Sequence, residues 1–286
     1  MCYNYDMQNL NFAFFGTPEV AVETLEILKQ GGYVPSLIVT SPDQPKGRKM
    51  TITPPPAKVW AEENGVPCLQ PEKLGAEFAE KLAVPTLVGA ASSFDLFIIV
   101  AYGKILPENI IQKPRLGSIN IHYSLLPKYR GASPVEAAIL NDDKETGVTI
   151  QQMEYKLDSG AILAQKKIQI GAEETAPELR RRLIKIGGDL LVKTLPAIVQ
   201  KEIKPIPQDE TEATFCKKME KADGLINLAG NPKENYNKFR AYAEWPRVFF
   251  FENGRRIIIT KASLENGKFL IKRIIPEGGK ERDYRP

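Results

Sequence analysis

Two side chains able to do polar chemistry, Asn120 and His122, stand two positions apart at the end of the run Ser118–His122. Strand alternation puts both on one face. A strand end in an open α/β sheet faces the crevice where small ligands bind. There an amide N–H can donate to an oxygen that gains negative charge, and an imidazole can take or give a proton near neutral pH. His122 is the only histidine in the chain. A lone histidine is more often a surface or structural residue, so its place at the strand end carries the reading, not its type.

The elements that must position this pair read as strands alternating with helices. Asn11–Phe15 is a short apolar run ended by Gly16, with Thr17 as a possible cap and Pro18 suited to a first helical turn. A helix then runs to Gly31-Gly32, followed by a strand at Leu37–Thr40 and helices near Ala57–Asn64 and Glu72–Leu82. Phe97–Ala101 is continuously apolar, as for a strand buried on both faces. Ser133 is read as the cap of a helix from Pro134 to about Leu140, Val148–Met153 and Ala161–Ile170 are strand-like, and Thr175-x-x-Glu178 reads as a capping box before a long helix. This order predicts an open, mostly parallel α/β sheet. FFGTPEV (Phe14–Val20) holds one glycine and no Gly-x-Gly-x-x-Gly, which disfavours a nicotinamide cofactor.

The pattern changes after Lys201–Asp209, a stretch with two prolines that reads as a linker. Short strands then alternate with Asn253-Gly254 and Asn266-Gly267 turns, strong hairpin signals that predict a small β-barrel. The expected division is residues 1–200, a linker at 201–209, and a C-terminal module at 210–286. That last third holds the positive excess: residues 201–286 carry 18 Lys and Arg against 13 Asp and Glu, while the first 200 carry 21 against 22. A basic module is consistent with a polyanionic partner or with a plain solvated surface. Cys2, Cys68 and Cys216 are scattered and suit neither a disulfide framework nor a zinc site. The opening residues MCYNYDMQNL lack a basic region followed by an apolar stretch, and no run is long enough to span a membrane, so the expected location is cytoplasmic.

The stretch after His122, Ser124-Leu125-Leu126-Pro127 and then Lys128–Gly131, has no helical period before the helix at Ser133. It suits either a binding loop for a planar heterocycle or a surface connection. Here NIHYSLLPKYRGASP (Asn120–Pro134) resembles the signature of the folate-dependent formyltransferases. AYGKILP (Ala101–Pro107), ETGVTIQQME (Glu145–Glu154) and LDSG (Leu157–Gly160) follow in that family's order and spacing. The resemblance implies a Rossmann-like formyltransferase domain followed by an OB-like barrel. It implies Asn120, His122 and Asp158 as catalytic residues, and 10-formyltetrahydrofolate as co-substrate, bound near Tyr102, Gly103, Ser124, Leu125, Leu126 and Pro127. It implies direct attack by an amine, with no acyl-enzyme and no metal.

The family formylates several amines. SPDQPKGRKMTITPPP (Ser41–Pro56) is a long loop without periodicity, carrying Lys46, Arg48 and Lys49. It reads as a mobile surface loop or as a basic arm for RNA phosphates. It resembles the loop of the family's tRNA-acting members, as do Ile206–Leu228 and Asn237–Phe250 in the C-terminal module. The resemblance therefore implies initiator methionyl-tRNA as the partner, held by Lys46, Arg48, Lys49 and Arg130, and a monomeric enzyme of translation initiation. An amino-sugar N-formyltransferase is the alternative enzyme, and a non-catalytic RNA-binding protein the alternative class.

Overall fold

A computed structural model of the chain describes residues 10–47, 50–82 and 93–285. In chain order its strands and α-helices are β1 (Phe12–Gly16), α1 (Glu19–Gln30), β2 (Leu37–Val39), β3 (Gln44–Lys46), β4 (Thr51–Thr53), α2 (Pro56–Glu63), β5 (Cys68–Leu69), α3 (Ala76–Lys81), β6 (Leu96–Val100), α4 (Glu108–Ile111), β7 (Ser118–His122), β8 (Arg130–Gly131), α5 (Pro134–Leu140), β9 (Glu145–Gln152), β10 (Ile162–Gln169), α6 (Ala176–Val199), β11 (Phe215–Cys216), α7 (Pro232–Ala241), β12 (Phe249–Glu252), β13 (Arg255–Glu265), β14 (Lys268–Pro276) and β15 (Arg282–Asp283). Within the described residues these form two compact units. One comprises Met1–His122, Val148–Lys166 and Ile184–Thr211; the other comprises Tyr123–Gly147, Lys167–Leu183 and Glu212–Pro286.

The first unit is organised by a seven-stranded sheet of order β10-β9-β7-β6-β1-β2-β5. The five strands from β7 to β5 are parallel, and β9 runs antiparallel to β7. β1 (FAFFG) and β6 (LFIIV) are buried at every position, because helices cover both sheet faces and remove the need for polar alternation. Phe12, Phe14, Phe15 and Phe97 are essentially inaccessible, and burial of each contributes about 2–3 kcal/mol. One face carries Ala13, Phe15, Leu37, Val39, Phe97 and Ile99, packed with Phe78 of α3 and Ile110 and Ile111 of α4. Elsewhere in the unit, α6 approaches α1 so closely that a Cβ on Gly188 would stand 2.6 Å from Ile27. Gly16, the one glycine of FFGTPEV, lies where a Cβ would meet Ala21 at 2.6 Å and the Val100 carbonyl at 2.9 Å. Its absent side chain serves packing of β1, β6 and α1.

The second unit holds a four-stranded antiparallel sheet of order β12-β13-β14-β15 and a short parallel pair, β8 with β11. Asn253-Gly254 and Asn266-Gly267 all have positive φ, as a two-residue hairpin turn requires. Asn231 caps α7 by accepting from the Lys233 and Glu234 amides.

Several local expectations change. Thr17 does not cap α1; its hydroxyl donates to the Tyr102 carbonyl (3.1 Å) and lies 3.1 Å from the Ser41 hydroxyl. Ser133 makes no side-chain cap for α5. The helix expected over Glu72–Leu82 is confined to α3. The loop Ser41–Pro56 contains an antiparallel pair, β3 with β4, which its proline-broken sequence concealed. The linker at Lys201–Asp209 is not free: Ile206 exchanges two backbone hydrogen bonds with Ile162, at 2.8 and 2.9 Å. The C-terminal strands form an antiparallel sheet, as the hairpin signals predicted.

Candidate active site

β7 ends on His122 at the carboxyl edge of the parallel strands. Its register sets the site. Asn120 pairs with Ile99 of β6 on one side and with Gln151 of β9 on the other, and His122 pairs with Thr149. Directly opposed residues share a face. Asn120, His122, Thr149 and Gln151 therefore form a polar patch continuing the apolar face of Phe97 and Ile99. Asn120 is partly exposed, while His122, Thr149 and Gln151 are buried. Thr149 Oγ1 accepts a 2.9 Å hydrogen bond from Gln165 of β10.

Asp158 reaches this patch from the turn after β9. Its carboxylate Oδ2 lies 3.7 Å from His122 Nδ1, a contact beyond hydrogen-bond length. Gln151 Nε2 donates to the other oxygen, Oδ1, at 2.9 Å. The turn is tight. Asp158 has φ of +47°, a left-handed conformation that aspartate tolerates better than most residues. Gly160 admits no side chain, since a Cβ there would fall 1.8 Å from the Gln152 carbonyl oxygen. Local LDSG chemistry thus delivers the carboxylate to the histidine 36 residues upstream.

The other expected site residues are placed as follows. Tyr102 follows β6, with its ring buried edge-on to Phe15 at 5.5 Å; burial pushes its phenol up to about 12. Its flanks are open: Ala101 and Gly103 are exposed with φ of +49° and +81°. What this segment presents is therefore main chain. In the second unit, the Ser124 hydroxyl donates to the Lys128 carbonyl at 2.6 Å and Leu126 is buried, leaving Leu125 and Pro127 partly exposed. The Leu126–Pro127 peptide is cis. Arg130 is a correction. It is completely buried, its strand paired with β11, and a guanidinium so enclosed does not meet RNA phosphates. Lys46 is exposed on β3. Arg48 and Lys49 lie outside the described residues. Gln151 and Gln208 escaped sequence reading, although glutamine at an inward register position of a strand was a usable signal for the first. Among the described residues, no group of three or more His, Cys, Asp or Glu is arranged to hold a metal ion, and no helix is long and apolar enough to cross a membrane.

An amide donor, an imidazole and a carboxylate converging at a strand end form an arrangement suited to acyl-type transfer. The chain matches the model described as formyl transferase over residues 10–195, and the formyl transferase C-terminal domain over 218–280. It is 40% identical to a methionyl-tRNA formyltransferase of Synechococcus sp. over 89% of this chain and 77% of that protein. In fold it resembles a methionyl-tRNA formyltransferase from Clostridium thermocellum (TM-score 0.61, 16% identity, 96% of this chain and 100% of that one). It likewise resembles a Helicobacter canadensis N-formyltransferase solved with folinic acid and dTDP-3-aminofucose (TM-score 0.66, 20% identity, 90% and 88%). With motifs, register and both domain matches in agreement, the chain belongs to the formyl transferase family.

Proposed function

We propose that this protein transfers the formyl group of 10-formyltetrahydrofolate to the amino group of initiator methionyl-tRNA, acting as a cytoplasmic monomer. The observation that supports the reading is that Asn120 and His122 share one face of β7, paired with Gln151 and Thr149 of β9, with Asp158 Oδ2 3.7 Å from His122 Nδ1. In this reaction the amine nitrogen bonds to the formyl carbon and the carbonyl oxygen gains charge. Collapse then breaks the bond to the folate nitrogen, which takes up a proton as the amine loses one. Asn120 donates its amide N–H to the developing oxyanion, and a protonated His122 adds a second donor. The Asp158 carboxylate stabilises that imidazolium and fixes its ring.

In the first unit, the exposed main chain at Ala101–Gly103, beside Tyr102, offers edges for folate; in the second, the Ser124 hydroxyl shapes the turn of Ser124–Pro127. Main-chain donors and acceptors suit a flat heterocycle with several amide-like edges. The basic loop with Lys46, Arg48 and Lys49 and the basic module at 210–286 hold the RNA through its phosphates. A relative 40% identical to this chain over 256 aligned residues bears the methionyl-tRNA formyltransferase name, whereas the likeness to sugar enzymes is one of fold. The test is a transfer assay with 10-formyltetrahydrofolate and either methionyl initiator tRNA or a nucleotide-linked amino sugar. Formylation of the tRNA is expected; formylation of the sugar alone would reassign the substrate.

A further inference from the structure

The segment 206–210, read from sequence as linker, lies as a splint along the turn that carries Asp158. Three rungs tie the two together. Ile206 and Ile162 exchange backbone hydrogen bonds. Gln208 Nε2 donates to the carbonyl oxygens of Asp158 (2.8 Å) and Gly160 (2.7 Å). Glu210 pairs with Lys156 at 2.6 Å. The last rung is solvent-exposed and contributes little. The middle rung is different, because one amide group satisfies two carbonyls at the residue pair where the backbone is most constrained.

We propose that Gln208 and Gln151 are positioning residues that hold Asp158 for His122, one through its backbone and the other through its carboxylate. Gln151 is 2% exposed and sits opposite Asn120 on β9. By occupying Oδ1 it leaves Oδ2 as the atom that faces His122 Nδ1. Gln208 Nε2 also lies 3.4 Å from Gln151 Oε1, a longer contact made by a nitrogen whose two hydrogens serve the carbonyls. A left-handed aspartate still carries some backbone strain, and these two glutamines hold it from separate directions. The carboxylate's role in formyl transfer rests on the function proposed above; the positioning itself does not.

The single histidine provides a readout independent of turnover. In full-length protein labelled with 15N-histidine, every imidazole signal belongs to His122. We expect its two ring-nitrogen shifts in Gln151→Leu and Gln208→Leu to move from wild type toward those of Asp158→Asn. We expect kcat to fall about tenfold, less than the roughly hundredfold cost of a full ångström of misplacement, with KM for both substrates unchanged. In an Asp158→Asn background the added loss should vanish. Should a leucine variant melt early, Gln151→Met and Gln208→Met keep the chain length while removing the donor, and the same shifts are expected. Unchanged His122 shifts together with kcat within twofold of wild type, in variants that melt normally, would overturn the proposal. Absence of formyl transfer by the wild type would instead overturn the proposed function, and the His122 shifts would still test the positioning.

Discussion

The turn that carries Asp158 and the basic loop at Ser41–Pro56 belong to the same unit, yet they are held in opposite ways. The turn is fixed along its length by β9, by Gln151, by Gln208 and by a glycine with no room for a side chain. Among the described residues, the loop pairs with itself through β3 and β4 and is tied to its unit at its root. Asp43 accepts from Lys58 (2.9 and 3.0 Å) and from Gln70 (2.7 Å), Gln70 also donates to the Ser41 carbonyl, and every residue of β3 is exposed. The hydrogen bonds from Gln70 and Lys58 hold the Asp43 carboxyl below its usual range. On the proposed function the difference matches distance dependence. Proton transfer and oxyanion stabilisation are sensitive to displacement of about an ångström, whereas attraction to phosphates acts over about 8–10 Å.

The comparison is broken most severely at the histidine. His122→Ala should lower kcat by about a thousandfold, within the usual range for general acid–base groups, while tRNA binding measured by filter retention stays intact. Equal losses in binding would mean that the two regions are not separable. Gly160→Ala comes next. Its Cβ must displace the Gln152 carbonyl, so kcat should drop about a hundredfold, with a lower melting temperature showing the backbone shift. Neutralising Lys46, Arg48 and Lys49 together should act in the converse sense: kcat at saturating tRNA is preserved, and the slope of log affinity against log salt falls by about 2. A salt slope equal to wild type would remove the RNA-facing role of the loop.

The smallest effect concerns neither region. In the second unit, hydrogen bonds from Lys144 and Lys233 hold Asp142 down to about 2. A depressed carboxyl stabilises the fold above its ordinary value, and that stability is lost as pH falls through the folded value. Thermal melts of Asp142→Asn should therefore lie a few degrees below wild type at neutral pH and converge with it as pH drops from about 4 toward 2. Parallel melting curves at all pH values would refute the linkage. Because the aspartate is about one-third exposed, solvent screening limits the effect.

Much of the fold and the centre of the site were legible in the sequence because they follow local rules. Alternation over Ser118–His122 set the face shared by Asn120 and His122, and β7 has the expected bounds. Asn-Gly pairs marked the hairpins at 253–254 and 266–267 because few residues accept positive φ. Asp158 was legible only through the family's motif order, since nothing local ties it to a histidine 36 residues away. The expectations for Thr17, Ser133 and Arg130 changed because each side chain's partners or burial come from outside its own turn.

Residue type and short-range spacing were enough to specify the strand bearing Asn120 and His122, the hairpins and the distribution of charge. Tertiary structure alone decided which carboxylate oxygen faces the imidazole, that Arg130 is enclosed, and that Gln208 reaches Asp158 across 50 positions. Those outcomes depend on strand register and on the return of a distant segment. Polar residues announce that they need partners, but only the folded chain selects which partners they find.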